Sequence, residues 1–403
     1  MEQMNFVRPR ASGWLGAACA LLTASWIAGC GGGGSYAPPA TGSTASPSSV
    51  AFTSGPVGGF GSVIVNGVRF DDSAAKVDDD DGNAATSAAL KLGMMVDVDS
   101  SAVDDTLGRA VAQHIRFGSV LVGPVATVDT VAATFVVLGQ TVEVRNTTVF
   151  DDTLSGGVAG LADKTVEVHA LFDATSGHFV ASRIEAEVAP AAFKLVGLVS
   201  ALDTAAKTFQ IGAAVVSYSK VAAADLPAAL ANGLRVRMRL ETVQVNGQWV
   251  AISVRSGVRK VDDRAEGRLR ALVTAFTSPT AFEVGGVPVD ASTAVVEHGP
   301  VALGARVDVR GKLVSGTLVA TRVNVLKDND DTVRGIELHG AVSEVNTTAK
   351  TFVLRTVKVS YDANVVFKNG TDAKLVNGAQ VEVKGVLSTD QKTLAATKIE
   401  FEN

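Results

Sequence analysis

Three groups of residues in this chain are of types that bind or react. The first is the histidines, His114, His169, His178, His298 and His339. A metal site wants several such ligands at short spacing on one face, often with cysteine. None of the five stands at HxH or HxxxH spacing, and both cysteines, Cys19 and Cys30, lie near the start. His169 and His178 could flank one hairpin, which gives two ligands at most; the histidines read as surface or edge-strand residues. The second group is Asp78-Asp79-Asp80-Asp81-Gly82. Setting Gly82 at position six of a calcium loop puts Val77 at position one and Ala88 at position twelve, where carboxylates are required. The run reads instead as an acidic turn facing solvent, a weak calcium ligand at best.

The third group is Arg235, Arg237 and Arg239, which alternate with Val236, Met238 and Leu240. On a strand the three guanidiniums share one face, about 6.5–7 Å apart. A planar fork of donors suits phosphate, sulfate and carboxylate oxygens. An anionic glycan, a lipid head group or acidic segments of the protein itself would match this ladder, as would plain solvent on a charged outer face. No GxSxG, Walker loop or strand-linked GxGxxG occurs, and no nucleophile stands beside a base. The expectation is a protein that is not an enzyme and carries no cofactor. A net charge of −5 with few aromatics also argues against nucleic acid as a partner.

The elements that would position these residues repeat. A motif of Ala, two residues and Ile or Val starts at Ala112, Ala181, Ala251, Ala320 and Ala396, in steps of 69, 70, 69 and 76. A strand valine recurs at Val96, Val166, Val236, Val307 and Val381, in steps of 70, 70, 71 and 74. Two anchors with one period divide the body into five units: 55–118, 119–189, 190–258, 259–327 and 328–403. Within them MVDVD, TVEVHA, RVRMRL, RVDVRG and QVEVKG alternate with period two, as half-buried strands do. Asn66-Gly67 and Asn246-Gly247 are hairpin turn pairs. Phe135, Phe209, Phe282 and Phe352 each open a second strand and read as core plugs. An Ala/Leu-rich segment such as AADLPAALANG precedes each fourth strand and predicts a short helix, with Gly93 or Gly233 as its cap.

The fold class expected is all-β: five tandem small OB-like β-barrel domains of about 70 residues, each with one short helix. A barrel of another topology is the alternative. The body resembles a bacterial family catalogued only as a domain of unknown function, number 5666, most closely over GFGSVIVNGVRFD from Gly59 to Asp71. That resemblance implies tandem repeats in secreted proteins and lipoproteins, and no activity.

Ahead of the body, Arg8 and Arg10 precede the apolar run Trp14 to Cys30, which is short for a span of about 20 residues and follows a secretory plan. Ile27-Ala28-Gly29-Cys30 resembles the lipobox of bacterial lipoproteins. The resemblance implies a signal peptide over 1–29, lipid on Cys30, and, with Gly31 next, sorting to the outer membrane. Residues 30–54 read as the lipidated cysteine and a Gly/Ser/Pro linker. By unit the net charges are −5, −6, +4, +3 and −2. The leading expectation is a non-enzymatic envelope lipoprotein, a tethered scaffold or spacer with an unidentified envelope protein as partner. The alternative binds an anionic polysaccharide or lipid head group through units three and four. Pairing of acidic with basic units inside the chain would explain the same split.

Overall fold

The computed structural model describes residues 50–257, 261–327, 336–388 and 392–402. Cys30, the predicted signal peptide and most of the linker lie outside them.

Unit two displays the scheme. Leu121–Asp129, Thr134–Val137 and Gln140–Glu143 form an antiparallel meander. Thr165–Asp173 and His178–Ala186 form a hairpin. The hairpin closes the sheet: Thr165–Asp173 runs antiparallel to the first strand, and His178–Ala186 runs parallel to the third, through Val142↔Phe179. The ring order is therefore 1-2-3-5-4-1. The parallel closure recurs as Phe70↔Ala110, Val216↔Trp249, Val289↔Leu318 and Val359↔Leu394. The first-to-fourth pairing recurs as well. The protein is all-β and built of small barrels.

Each barrel buries one face of its strands, as the period-two pattern requires. Phe135, Phe209 and Phe352 are fully enclosed and Phe282 is buried; unit one instead buries Phe70, on its third strand opposite Val63. Asn66-Gly67 has φ of 53° and 75°, and Asn246-Gly247 has 50° and 77°, the paired positive values of a tight hairpin turn.

The predicted helices shrink to short 3-10 helices. The segments form single 3-10 turns, Ser87–Ala89, Gly157–Leu161, Ala223–Asp225 and Asp372–Lys374, with none among the described residues of unit four. A segment this short cannot repay helix nucleation, and Pro227 interrupts the best of them. The glycines expected as helix caps do other work. Gly93, Gly233, Gly304 and Gly378, with φ of 79°, 87°, 75° and 92°, turn the chain into the fourth strand. Their N–H groups donate to the carbonyls of Val57, Val199, Val273 and Val342, at 2.7–3.0 Å. In units one, three, four and five this ties the turn to the first strand or the bulge that follows it.

The barrels do not hang as separate beads; residues 47–403 are one compact unit. The first strand, Ala51–Phe60, begins four residues before the expected boundary, inside the predicted linker. Ala51 and Phe52 are buried there, an apolar pair hidden in a Ser/Pro/Thr-rich run. This strand runs parallel to Arg264–Ser278 of unit four and then, past a bulge, to Ile336–Asn346 of unit five. The crossing requires glycine: a Cβ on Gly59 would sit 2.0 Å from the Glu337 carbonyl oxygen. Units two and three share a second sheet through Leu195↔Leu121.

Candidate functional site

The arginine strand, Arg235–Leu240, buries Val236, Met238 and Leu240 and turns its arginines outward. What meets them is the acidic turn of unit one. Lys76–Asp79 and Ala84–Ala85 form a hairpin whose turn is held by Asp79. Its Oδ1 accepts from the backbone N–H groups of Asp81 and Asn83, at 2.9 and 2.8 Å. Burial raises the Asp79 pKa, but the hydrogen bonds from Asn83 and Asp81 and the nearby charge of Lys194 together hold it below the usual range. With the turn fixed, Asp80 and Asp81 project toward unit three.

Lys194, opposite Arg239 on the neighbouring strand, donates to both Asp80 carboxylate oxygens at 2.7 and 2.5 Å. Arg237 donates to the Asp80 backbone carbonyl and lies 3.2 Å from its carboxylate. Arg239 pairs with Asp81. The turn expected to face solvent is thus an ion-paired plug on the arginine strand. Arg237 and Arg239, expected to await an external anion, meet carboxylates of the same chain. Arg235, half-buried, lines a cavity described below.

The same complementarity recurs around unit one. Its Asp99 pairs with its own Arg116 at 3.2 Å and with Arg264 of unit four at 3.0 Å. Asp105 binds Arg268 at 2.7 Å and Arg310 at 3.4 Å. The hydrogen bond from Arg268, against a smaller burial penalty, lowers the Asp105 pKa. Toward the acidic units the signs reverse. Lys91 pairs with Glu185 of unit two at 3.0 Å, and Arg69 with Glu337 of unit five at 2.6 Å. Unit one offers acids to the basic units and bases to the acidic ones.

At the junction with unit five, the ligand-type atoms of Glu337, His339 and Glu382 lie within 4.8 Å of one another. Arg69 Nη2 is 2.6 Å from both Glu337 Oε1 and His339 Nε2, so a metal cation there would have to displace a guanidinium. His339 Nδ1 reaches Glu402 at 2.7 Å, and Lys384 reaches Glu337 at 2.9 Å. Burial opposes the charged form of each group, yet the hydrogen bonds win. The Glu337 carboxyl is held far below the carboxylate range by His339, Lys384 and Arg69, and Glu337 and Glu402 raise His339. His169 departs from the surface reading: it is fully buried, its Nδ1 donates to the Gly118 carbonyl at 3.0 Å, and burial lowers its pKa. His114 contacts Asp78 at 2.8 Å.

Between units one to four lies a cavity of about 350 Å³. Arg116, Arg235, Arg237 and Arg270 line it, against Asp80 and Asp97. The sequence reading singled out Arg235 and Arg237 among these, took His339 for a surface or edge-strand residue, and missed Lys194 and Arg69. A partner that lies far along the chain leaves no local pattern; the charge split between units was its single trace.

A family model described as Domain of unknown function (DUF5666) matches residues 122–185, 270–324 and 339–400. These segments fall in units two, four and five. No curated protein matches the chain. Among solved structures, drosophila Unr CSD456 aligns over 54% of this chain and 99% of its own, at 14% identity and a TM-score of 0.13. A likeness that weak carries no argument.

Proposed function

Taking the chain as a repeat-containing DUF5666 protein, we propose that it is a non-enzymatic cell-envelope lipoprotein, a tethered scaffold that presents five fused OB-like barrels as one body. The observation that carries the scaffold reading is the internal use of charge. The acids of unit one occupy Lys194, Arg237 and Arg239 of unit three and Arg264, Arg268 and Arg310 of unit four. Charges spent inside the body fix its units against one another, which is what a rigid presenting surface needs. The OB-like assignment rests on the ring order with its parallel third and fifth strands, a five-stranded Greek-key barrel.

Lipid on Cys30, a signal peptide over 1–29 and an outer-membrane address belong to the same proposal and rest on Ile27-Ala28-Gly29-Cys30 and the linker. The partner is an envelope protein. The reading in which units three and four hold an external polyanion along the ladder is weakened by the carboxylates already there. The test expresses the full chain and its Cys30→Ser variant in a diderm bacterium and fractionates the envelope. Membrane pelleting of the native chain, a lipid mass on Cys30 and release of the variant are expected. A native chain that remains soluble and unmodified sinks the anchored reading. An envelope crosslinking pattern unchanged when the body is deleted sinks the scaffold.

A further inference from the structure

Five Asn-Gly pairs stand in the chain: Asn66-Gly67, Asn232-Gly233, Asn246-Gly247, Asn369-Gly370 and Asn377-Gly378. The backbone nitrogen that follows an asparagine can attack the side-chain amide carbon, and glycine, with no Cβ, leaves the way to that nitrogen open. The attack needs a nitrogen that no hydrogen bond holds and an amide that can swing toward it. Four of the pairs lack one or the other. The Gly233 and Gly378 N–H groups donate to the Val199 and Val342 carbonyls, at 2.8 and 2.7 Å. The Asn232 and Asn377 side-chain oxygens are held as well, by the Leu202 and Val345 N–H groups at 3.0 Å. Asn369 Nδ2 donates to Glu400 and to the Phe401 carbonyl, both at 3.3 Å. Asn66 Nδ2 donates to the Ser54 carbonyl at 2.9 Å, and the neighbours of its turn, Val65 and Val68, are buried.

Asn246-Gly247 has neither restraint. Residues 242–247 are all exposed, and nothing lies within 4 Å of the place a Gly247 Cβ would occupy. Among the described residues the Asn246 side chain and the Gly247 N–H have no hydrogen-bond partner. The turn is closed by one pair, Val245 and Gln248, which exchange backbone bonds of 2.9 and 3.0 Å beyond the end of the strand Trp249–Ser256. Asn66-Gly67 supplies the comparison. The two turns share their φ angles, 53° and 75° against 50° and 77°, so anchorage and not turn type separates them.

We infer that Asn246 is a site of intramolecular deamidation, the one of the five asparagines that the folded body leaves reactive. The Gly247 nitrogen loses its proton and bonds to Cγ of Asn246. The bond from Cγ to the amide nitrogen breaks, and ammonia leaves carrying that proton. Water then opens the five-membered imide at either carbonyl, to give aspartate or isoaspartate. No oxidant, metal or enzyme enters the balance. Each event adds a negative charge to unit three, whose net charge is +4. The isoaspartyl product also lengthens the main chain by one Cβ at a two-residue turn, which puts Val245 and Gln248 out of register. The inference does not depend on the scaffold reading, since it needs only this turn and water.

The test is peptide mass mapping over time of the full chain bearing Cys30→Ser, held in mildly alkaline water enriched in heavy oxygen, with a parallel sample unfolded in urea. Heavy oxygen marks conversions made during the incubation, and two separately eluting acidic products report aspartate and isoaspartate. In the folded chain Asn246 should convert at least about tenfold faster than each of the other four, which must open locally before they react. In urea the five rates should draw together to within about threefold, because the fold no longer separates them. Gly247→Ala, at the exposed tip, should slow conversion of Asn246 by about tenfold, since a Cβ then shields the attacking nitrogen. Thermal unfolding checks that this variant folds, and the comparison of folded with unfolded native chain stands without it. Equal rates in the folded chain, another pair reacting first, a preference for Asn246 that persists in urea, an Asn246 that reacts only in urea, or a folded Gly247→Ala variant that converts normally would each overturn the inference.

Discussion

Replacing Asp80 by Asn removes one charge and almost no volume at the joint between units one and three. Lys194 donates to both carboxylate oxygens, at 2.7 and 2.5 Å, and its side chain is 8% exposed. At an effective dielectric near 20 the attraction across that distance is about 6 kcal/mol gross, and desolvation of the pair offsets most of it. The variant keeps one acceptor, the amide oxygen, but leaves a buried ammonium with only the weaker attraction of nearby Asp79. Asp80 itself is 28% exposed, so water relieves part of the cost. The expected loss is about 2–3 kcal/mol. Urea denaturation measures it; guanidinium would screen the pair through its ionic strength. Lys194→Met should cost less, because it withdraws the buried charge instead of stranding it. The double variant should then show a coupling of about 2 kcal/mol. A loss below about 0.5 kcal/mol for Asp80→Asn, or additivity in the cycle, would refute the reasoning.

Other perturbations reach the remaining joints and the core. Gly59→Val drives a side chain into the Glu337 carbonyl; it should cost at least about 2 kcal/mol and speed amide hydrogen exchange in Ala51–Phe60 and Ile336–Asn346 first. Phe209→Ala empties the core of unit three and should cost about 3–5 kcal/mol in the same urea assay. At the junction with unit five, Glu337 ionises far below its ordinary 4.5, so its contribution is present above pH 4.5 and is lost as pH falls toward the folded value. His339 titrates above its ordinary 6.5, so its contribution is complete below pH 6.5 and is lost as pH rises through the raised value. Urea midpoints followed against pH should therefore peak between these two limits, and His339→Gln should flatten the alkaline limb.

Local features were legible in the amino-acid order. The two anchors set the period, Asn66-Gly67 and Asn246-Gly247 announced their turns, and one phenylalanine per later unit marked the core, because each depends on residues within a few positions. The helices were misjudged for a physical reason: Ala and Leu favour helix only when enough residues can propagate it, and the closing glycines are needed to bond the first strand. The joints were illegible. Arg69 meets Glu337 across 268 positions and Lys194 meets Asp80 across 114. Nothing near either residue encodes its partner. The charge of the units did forecast that acid and base could meet within the chain, but not that unit one would meet all four others.

That central role of unit one is tested most directly by zero-length carbodiimide coupling followed by peptide mass spectrometry on the monomer. Lys91–Glu185 at 3.0 Å and Lys194–Asp80 at 2.5 Å join different units, while Lys220–Glu241 at 2.6 Å lies within unit three. Amide links at both inter-unit pairs, alongside the internal one, are the expected result. Coupling of Lys220 to Glu241 with neither inter-unit link would contradict a body locked through its first barrel.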